Sequence, residues 1–151
     1  DHLGANIDRI VRSSSKPCLV TPLTFAPIER ILLAYDGSPT GKRILNFLVD
    51  NASGFKDTEI HLLTVAKSEA DDKKTQELAK AEQALQSAEL NITASQLTGN
   101  PEEVISQYVK QHQISLLMMG AYGHRRIRHL VIGSTTVQLL RSSQIAMLLF
   151  R

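Results

Sequence analysis

The chain has 151 residues, 42% of them hydrophobic and 21% charged, the balance of one globular domain large enough for its own core. A formal net charge of +2 excludes a general polyanion binder, and no aromatic residues interleave the arginines as a nucleic-acid face requires. Cys18 is the single cysteine, which excludes an intramolecular disulfide and a cysteine-based zinc motif and fits a cytoplasmic protein. No secretory leader and no apolar run of bilayer length is visible.

Residues 1–22 predict a helix to about Ser14 and a short strand at Cys18 to Val20. Laid without gaps on residues 133–151, they repeat the end of the chain: Gly4 falls on Gly133, Arg12 on Arg141, Ser13 on Ser142, Ser14 on Ser143 and Leu19 on Leu148. A shared glycine and Arg-Ser-Ser at one fixed offset point to duplication. Residues 1–22 therefore read as the last helix and strand of a preceding, similar domain; an unrelated extension is the alternative. Residues 23–28, with Pro22 before them and Pro27 among them, read as a linker to a domain spanning 29–151.

Arg30 to Tyr35 is a continuous apolar run, the mark of a central parallel strand. It stops at Asp36-Gly37, and Ser38-Pro39 opens a helix with serine as N-cap and proline in the first turn. Ile44, Phe47 and Leu48 give that helix an apolar face. A P-loop does not fit here: only three residues separate Gly37 from Gly41, and Arg43 follows Lys42. Glu59 to Val65 is the second strand. Glu69 to Leu90 is a helix with a stripe at Leu78, Ala81, Leu85 and Ala88. Asn91 to Leu97 alternates Ile92, Ala94 and, less cleanly, Leu97 as a third strand near a sheet edge. Asn100 and Pro101 cap the next helix, which turns Val104, Ile105, Tyr108 and Val109 to the core. Ser115 to Met119 is the fourth strand, residues 133–143 the last helix and Ile145 to Phe150 the last strand.

Strand and helix alternate throughout, which predicts an α/β doubly wound parallel sheet of five strands with right-handed crossovers and helices on both faces, plus the N-terminal helix and strand. The loop from Met119 to Thr136 carries the clearest chemistry. Gly120 and Gly123 let backbone approach a ligand, and the helix opening at Gly133 and Ser134 offers free N–H groups and a favourable dipole for an anion. Ser134, Thr135 and Thr136 add hydroxyl donors, and His124, Arg125, Arg126, Arg128 and His129 make the loop basic. The natural anion for such a loop is a phosphate group.

The spacing of glycine, two residues, glycine, nine residues, Gly-Ser resembles the nucleotide-binding signature of the universal stress protein family, in its ATP-binding branch. Asp36-Gly37-Ser38 resembles the turn after that family's first strand, and Thr98 to Pro101 its Gly-x-Pro turn. Tandem members of the family have the layout suggested by residues 1–22. The resemblance implies strand order 3-2-1-4-5 over about 29–151. Ligands of such sheets sit where strand order reverses, beyond the carboxyl ends; that point joins the Asp36 turn to the Met119 loop.

The resemblance then assigns Ala34, Asp36, Val65 and Met119 to adenosine, and Gly120, Gly123, Gly133, Ser134 and Thr135 to ribose and phosphates. Charge alone adds Arg125 for an outer phosphate. Asp36 could otherwise hold an Asx turn, Val65 serve ordinary sheet packing, and Met119 belong to the core. Thr64 stands where many relatives have histidine. The implied ligand is ATP, or ADP or AMP, with room for a Mg ion although no carboxylate cluster marks a metal site. The expected function is an adenine-nucleotide-binding stress-response protein. A phosphoryl-transfer enzyme needs a positioned base, a metal clamp and cations, and only the cations are evident, so catalysis is not expected. The alternatives are a slow ATPase and a dimerisation module without nucleotide. The last strand is an apolar edge that in the family carries dimerisation, so Ile145 to Leu149 is expected to pair with Cys18 to Val20, within the chain or in a homodimer.

Overall fold

The computed structural model describes residues 6, 9–11, 13–121 and 145–151. Among them, six strands form one sheet: β1 (Cys18–Val20), β2 (Arg30–Ala34), β3 (Glu59–Ala66), β4 (Asn91–Thr98), β5 (Leu116–Gly120) and β6 (Ala146–Phe150). Helices α1 (Pro39–Asp50), α2 (Asp72–Ser87) and α3 (Pro101–Gln111) connect them, with a single 3-10 turn at Ala52–Phe55. The order is β1-β6-β5-β2-β3-β4. β2 through β6 pair in parallel and keep the expected 3-2-1-4-5 order. The sheet is nevertheless six-stranded, because β1 joins it antiparallel to β6. The last predicted helix lies outside the described residues.

The helices start where the sequence provides caps. Ser38 Oγ accepts the Gly41 N–H at 3.0 Å with Pro39 behind it, and Asn100 accepts from Glu102 and Glu103. α2 begins at Asp72 rather than Glu69, because Asp71 Oδ1 takes the Lys74 N–H and fixes the first turn.

Alternation along the strands divides the core in two. Ile31, Leu33, Ile60 and Leu62 face α1 and α2, where Ile44, Leu48, Leu78 and Leu85 meet them. Leu32, Leu63 and Leu117 face α3 through Ile105, Tyr108 and Val109. Burying each such aliphatic side chain contributes about 1.5–3 kcal/mol. Asn6, Arg9, Ile10 and Val11 are helical, and Val11, 2% exposed, packs into this second cluster. On β4 Ile92 and Ala94 are half-buried, whereas Leu97, three residues after Ala94 and so on the opposite face, is 40% exposed.

The buried His61 sits in a complete hydrogen-bond set. Its Nε2–H faces Glu59 Oε1 at 2.7 Å, and its Nδ1 meets the Tyr108 hydroxyl at 2.7 Å. Ser115 joins the amino ends of the two central strands. Its hydroxyl accepts from the Glu29 and Arg30 N–H groups and donates to the Arg30 carbonyl. Among the described residues, no helix is long and apolar enough to cross a membrane.

Candidate functional site

Three of the residues singled out for adenosine end three neighbouring strands. Ala34 closes β2, Val65 stands one residue before the end of β3, and Met119 one before the end of β5. Pairing of Ala34 with Leu63 and of Leu33 with Met118 sets the strands in register. Two-residue alternation then places Ala34, Val65 and Met119 on one face, each half-buried against the cluster of Leu32, Leu63 and Leu117. They form a shallow apolar floor at the carboxyl edge, where β2 has β3 on one side and β5 on the other.

Asp36 lies two residues past the end of β2. It is exposed, and its Oδ1 accepts the Ser38 N–H at 2.9 Å, so it does hold an Asx turn. The second carboxylate oxygen is not used by that turn. Gly41 explains how the carboxylate comes so close to α1: a Cβ there would lie 2.9 Å from Asp36 Oδ1 and 3.3 Å from the Tyr35 ring. The sequence reading had met Gly41 only as part of a rejected P-loop.

Thr64, noted before as a departure from histidine, secures the same corner. Its hydroxyl donates to the Tyr35 carbonyl at 2.9 Å, while the Tyr35 N–H donates to the Leu63 carbonyl at 2.8 Å. The chain thus stays pinned to β3 one residue past the end of β2. Lys74 Nζ holds the Val65 carbonyl at 2.5 Å from the other face of the sheet. Neither role was visible in sequence, since each joins segments by a contact that no local spacing encodes.

Gly120 ends β5 opposite Phe150. A Cβ on it would meet Thr40 Cγ2 at 3.0 Å, so the first turn of α1 occupies the space glycine leaves. Ala121 follows, its N–H donating to the Phe150 carbonyl at 2.7 Å. Thr40 Oγ1 accepts from Arg43, which also donates to the Arg151 carbonyl. The Asp36 turn, the end of β5 and the chain's last residue are therefore held by one helix start. Gly123, Arg125, Gly133, Ser134 and Thr135 lie outside the described residues. Among the described residues no cluster of three or more His, Cys, Asp or Glu could hold a metal ion.

The model of the Universal stress protein family matches residues 27–151. A curated universal stress protein of Synechocystis is 48% identical over 150 residues, which cover 99% of this chain and 52% of that protein. The chain thus spans about half the length of this curated relative. Among solved structures, a universal stress protein from Archaeoglobus fulgidus superposes with a TM-score of 0.73 at 18% identity, covering 94% of this chain and 52% of that one. A family protein from Arabidopsis thaliana with AMP bound gives 0.57 at 18% identity, covering 80% of this chain and 89% of that one. At such identity the two structures speak for the fold.

Proposed function

This chain belongs to the universal stress protein family, and we propose that it binds an adenine nucleotide at the carboxyl edge of β2, β3 and β5 as a stress-response regulator. The observation that carries the reading is the joint placement of Ala34, Val65 and Met119 on one face at the carboxyl edge, with Asp36 two residues past the end of β2. A flat, half-buried apolar floor suits a purine ring, and a carboxylate at its rim suits ribose hydroxyls. The AMP-bound Arabidopsis neighbour supports the same ligand class. In this reading Gly120, Gly123, Gly133, Ser134 and Thr135 carry ribose and phosphates and Arg125 meets an outer phosphate. ATP, with Mg between its phosphates, is the full ligand.

The test is to denature the purified protein and identify released nucleotide by chromatography and mass. It is followed by calorimetric titration of ATP and AMP into the wild-type chain and the Asp36→Ala and Gly133→Val variants. Binding that weakens at least about tenfold in Asp36→Ala, the loss of one charged hydrogen bond, and vanishes in Gly133→Val supports the site. An empty protein that takes up neither nucleotide, or equal affinity in both variants, removes it.

A second reading concerns residues 1–22, which we take as the last helix and strand of a preceding, similar domain. The symmetric register of β1 on β6 supports it, as does a curated relative about twice this length. In this reading β6 is the surface through which two family domains pair, within one chain or in a homodimer.

A further inference from the structure

A cavity of about 360 Å³ opens on the other face of the sheet, between the Asp36 turn and the start of α2. Its volume falls in the range of small-molecule pockets. Tyr35 lines it and is 4% exposed. The Tyr35 hydroxyl has no hydrogen-bond partner among the described residues, yet no sealed side-chain oxygen or nitrogen of those residues lacks one. Burial, then the charges of Glu77 and Asp36, hold the Tyr35 pKa above the ordinary 10.0, so it is a proton donor at neutral pH.

The charges around it are unequally matched. Glu77 faces Lys42 at 3.8 Å, and Asp71 is used as the cap of α2. Lys74 reaches only the Val65 carbonyl, and Lys73 has no partner among the described residues. Lys73 and Lys74 thus stand without an ion-pair partner among the described residues at the amino end of α2, beside Asp71 and Asp72, where the helix dipole also favours negative charge. Opposite them, Asp36 keeps one oxygen clear of its Asx turn. The cavity therefore has an anion-seeking wall, an acceptor, and a buried phenol that offers a proton.

We propose that this cavity is a second ligand site, for a small oxyanion that also carries hydroxyl groups. The anionic head meets Lys73 and Lys74, and a hydroxyl meets the Tyr35 hydroxyl, while the Asp36 carboxylate is left to the proposed nucleotide. A phosphate ester and a hydroxy acid share this chemistry.

The test is an NMR titration of the 15N-labelled 151-residue chain with glycerol 3-phosphate, malate, inorganic phosphate and glycerol. Saturable shifts of the Gly37, Lys73 and Lys74 amides with glycerol 3-phosphate or malate support the site, and the better of the two identifies the head group. Lys73→Ala and Lys74→Ala should each weaken binding about tenfold, and Tyr35→Phe a few-fold, from charged and neutral hydrogen bonds respectively. Lys73 is a surface residue, so its variant reports on binding without risk to folding. No saturable shift at these amides with either hydroxylated anion, or unchanged affinity in both lysine variants, overturns the site. Inorganic phosphate binding as tightly as glycerol 3-phosphate overturns the hydroxyl recognition.

Discussion

Leu19 lies opposite Leu148 at the centre of the β1–β6 ladder. These are the two residues that fall on each other when residues 4–22 are laid on residues 133–151. On either side the equivalents are exchanged: Cys18 faces Leu149, which matches Val20, and Val20 faces Met147, which matches Cys18. Exchange of equivalent positions about one centre is what a two-fold axis imposes on an isologous contact. This register is the one the proposed tandem reading of residues 1–22 requires.

Removing residues 1–22 should therefore leave a chain that pairs with itself. β6 would lose its antiparallel partner, and a second β6 can take the same register, Leu148 against Leu148. Light scattering coupled to size exclusion should show a dimer for the shortened chain. A shortened chain that stays folded and monomeric at tens of micromolar would remove the symmetry reading; circular dichroism checks the fold.

Gly120→Ala should destabilise the protein by about 1–3 kcal/mol, the usual cost of overpacking, because its new methyl group would lie 3.0 Å from Thr40 Cγ2. Thr40→Ser removes that methyl and keeps the hydroxyl that Arg43 uses. In the Thr40→Ser background the penalty should largely disappear. Urea denaturation of the four proteins of the cycle measures this; a penalty that is unchanged by Thr40→Ser contradicts the contact.

Gly41→Ala should change sign with its surroundings. Alanine is ordinarily better than glycine inside a helix by about 0.5–1 kcal/mol. Here Asp36 Oδ1 would lie 2.9 Å from the added carbon, so the substitution should destabilise the wild-type chain. In an Asp36→Ala background it should become neutral or stabilising. Destabilisation of equal size in both backgrounds would assign the clash to the Tyr35 ring instead.

Thr64→Val keeps the shape and deletes the hydroxyl that donates to the Tyr35 carbonyl. A loss of about 1–3 kcal/mol is expected, since the buried carbonyl loses a partner. Nucleotide affinity should fall with it, because Tyr35 precedes Asp36. A variant with wild-type midpoint and wild-type affinity would show that the backbone bond from Tyr35 to Leu63 suffices.

Stability should decline as pH rises above about 10, the unfolded tyrosine value. The hydroxyls of Tyr35 and Tyr108 are both held above that value, chiefly by burial; Glu77 and Asp36 add to the effect at Tyr35, while at Tyr108 a hydrogen bond from Ser95 opposes and Glu59 adds. A raised folded pKa means the folded state keeps its proton while the unfolded state loses it, so the contribution is complete below pH 10 and is lost as pH climbs through the folded value. Urea midpoints across this range should fall less steeply in Tyr35→Phe. An identical slope would exclude Tyr35 as a source.

How far the sequence speaks depends on the range of the interaction. Ser38 with Pro39 and Asn100 with Pro101 are local signals, and both caps form as the residues require. Parallel strands buried on both faces read as continuous apolar runs, so Arg30 to Ala34 was legible. Leu97 fits less cleanly, because three residues after Ala94 it falls on the opposite face of β4 and is exposed. Of the two roles open to Asp36, the Asx turn is present; it is a local contact that the Asp-Gly-Ser spacing encodes. For Gly120 the sequence suggests close approach to a ligand; the neighbour it admits among the described residues is Thr40, 80 positions away in sequence, which local spacing does not encode. Thr64 and Lys74 act through backbone carbonyls of other segments, and side-chain type alone carries no address for such contacts.

The Ser115 hydroxyl bonds to Glu29 and Arg30 across 85 or more positions of chain, and this has a consequence for the order of assembly. β2, β3 and β4 follow one another through short crossovers and can gather early, whereas β5 must close a loop that contains all of them before it can dock on β2. The Asp36 turn is thus built in the early half of the molecule, and its cleft with β5 is among the last features to form. In pulsed hydrogen exchange during refolding, amides of β3 should gain protection before those of β5; simultaneous protection would mean that the whole sheet condenses in one step. If the proposed nucleotide site is right, a nascent chain would acquire affinity only when the central seam sewn by Ser115 has closed, and ligand uptake would then report on completed folding.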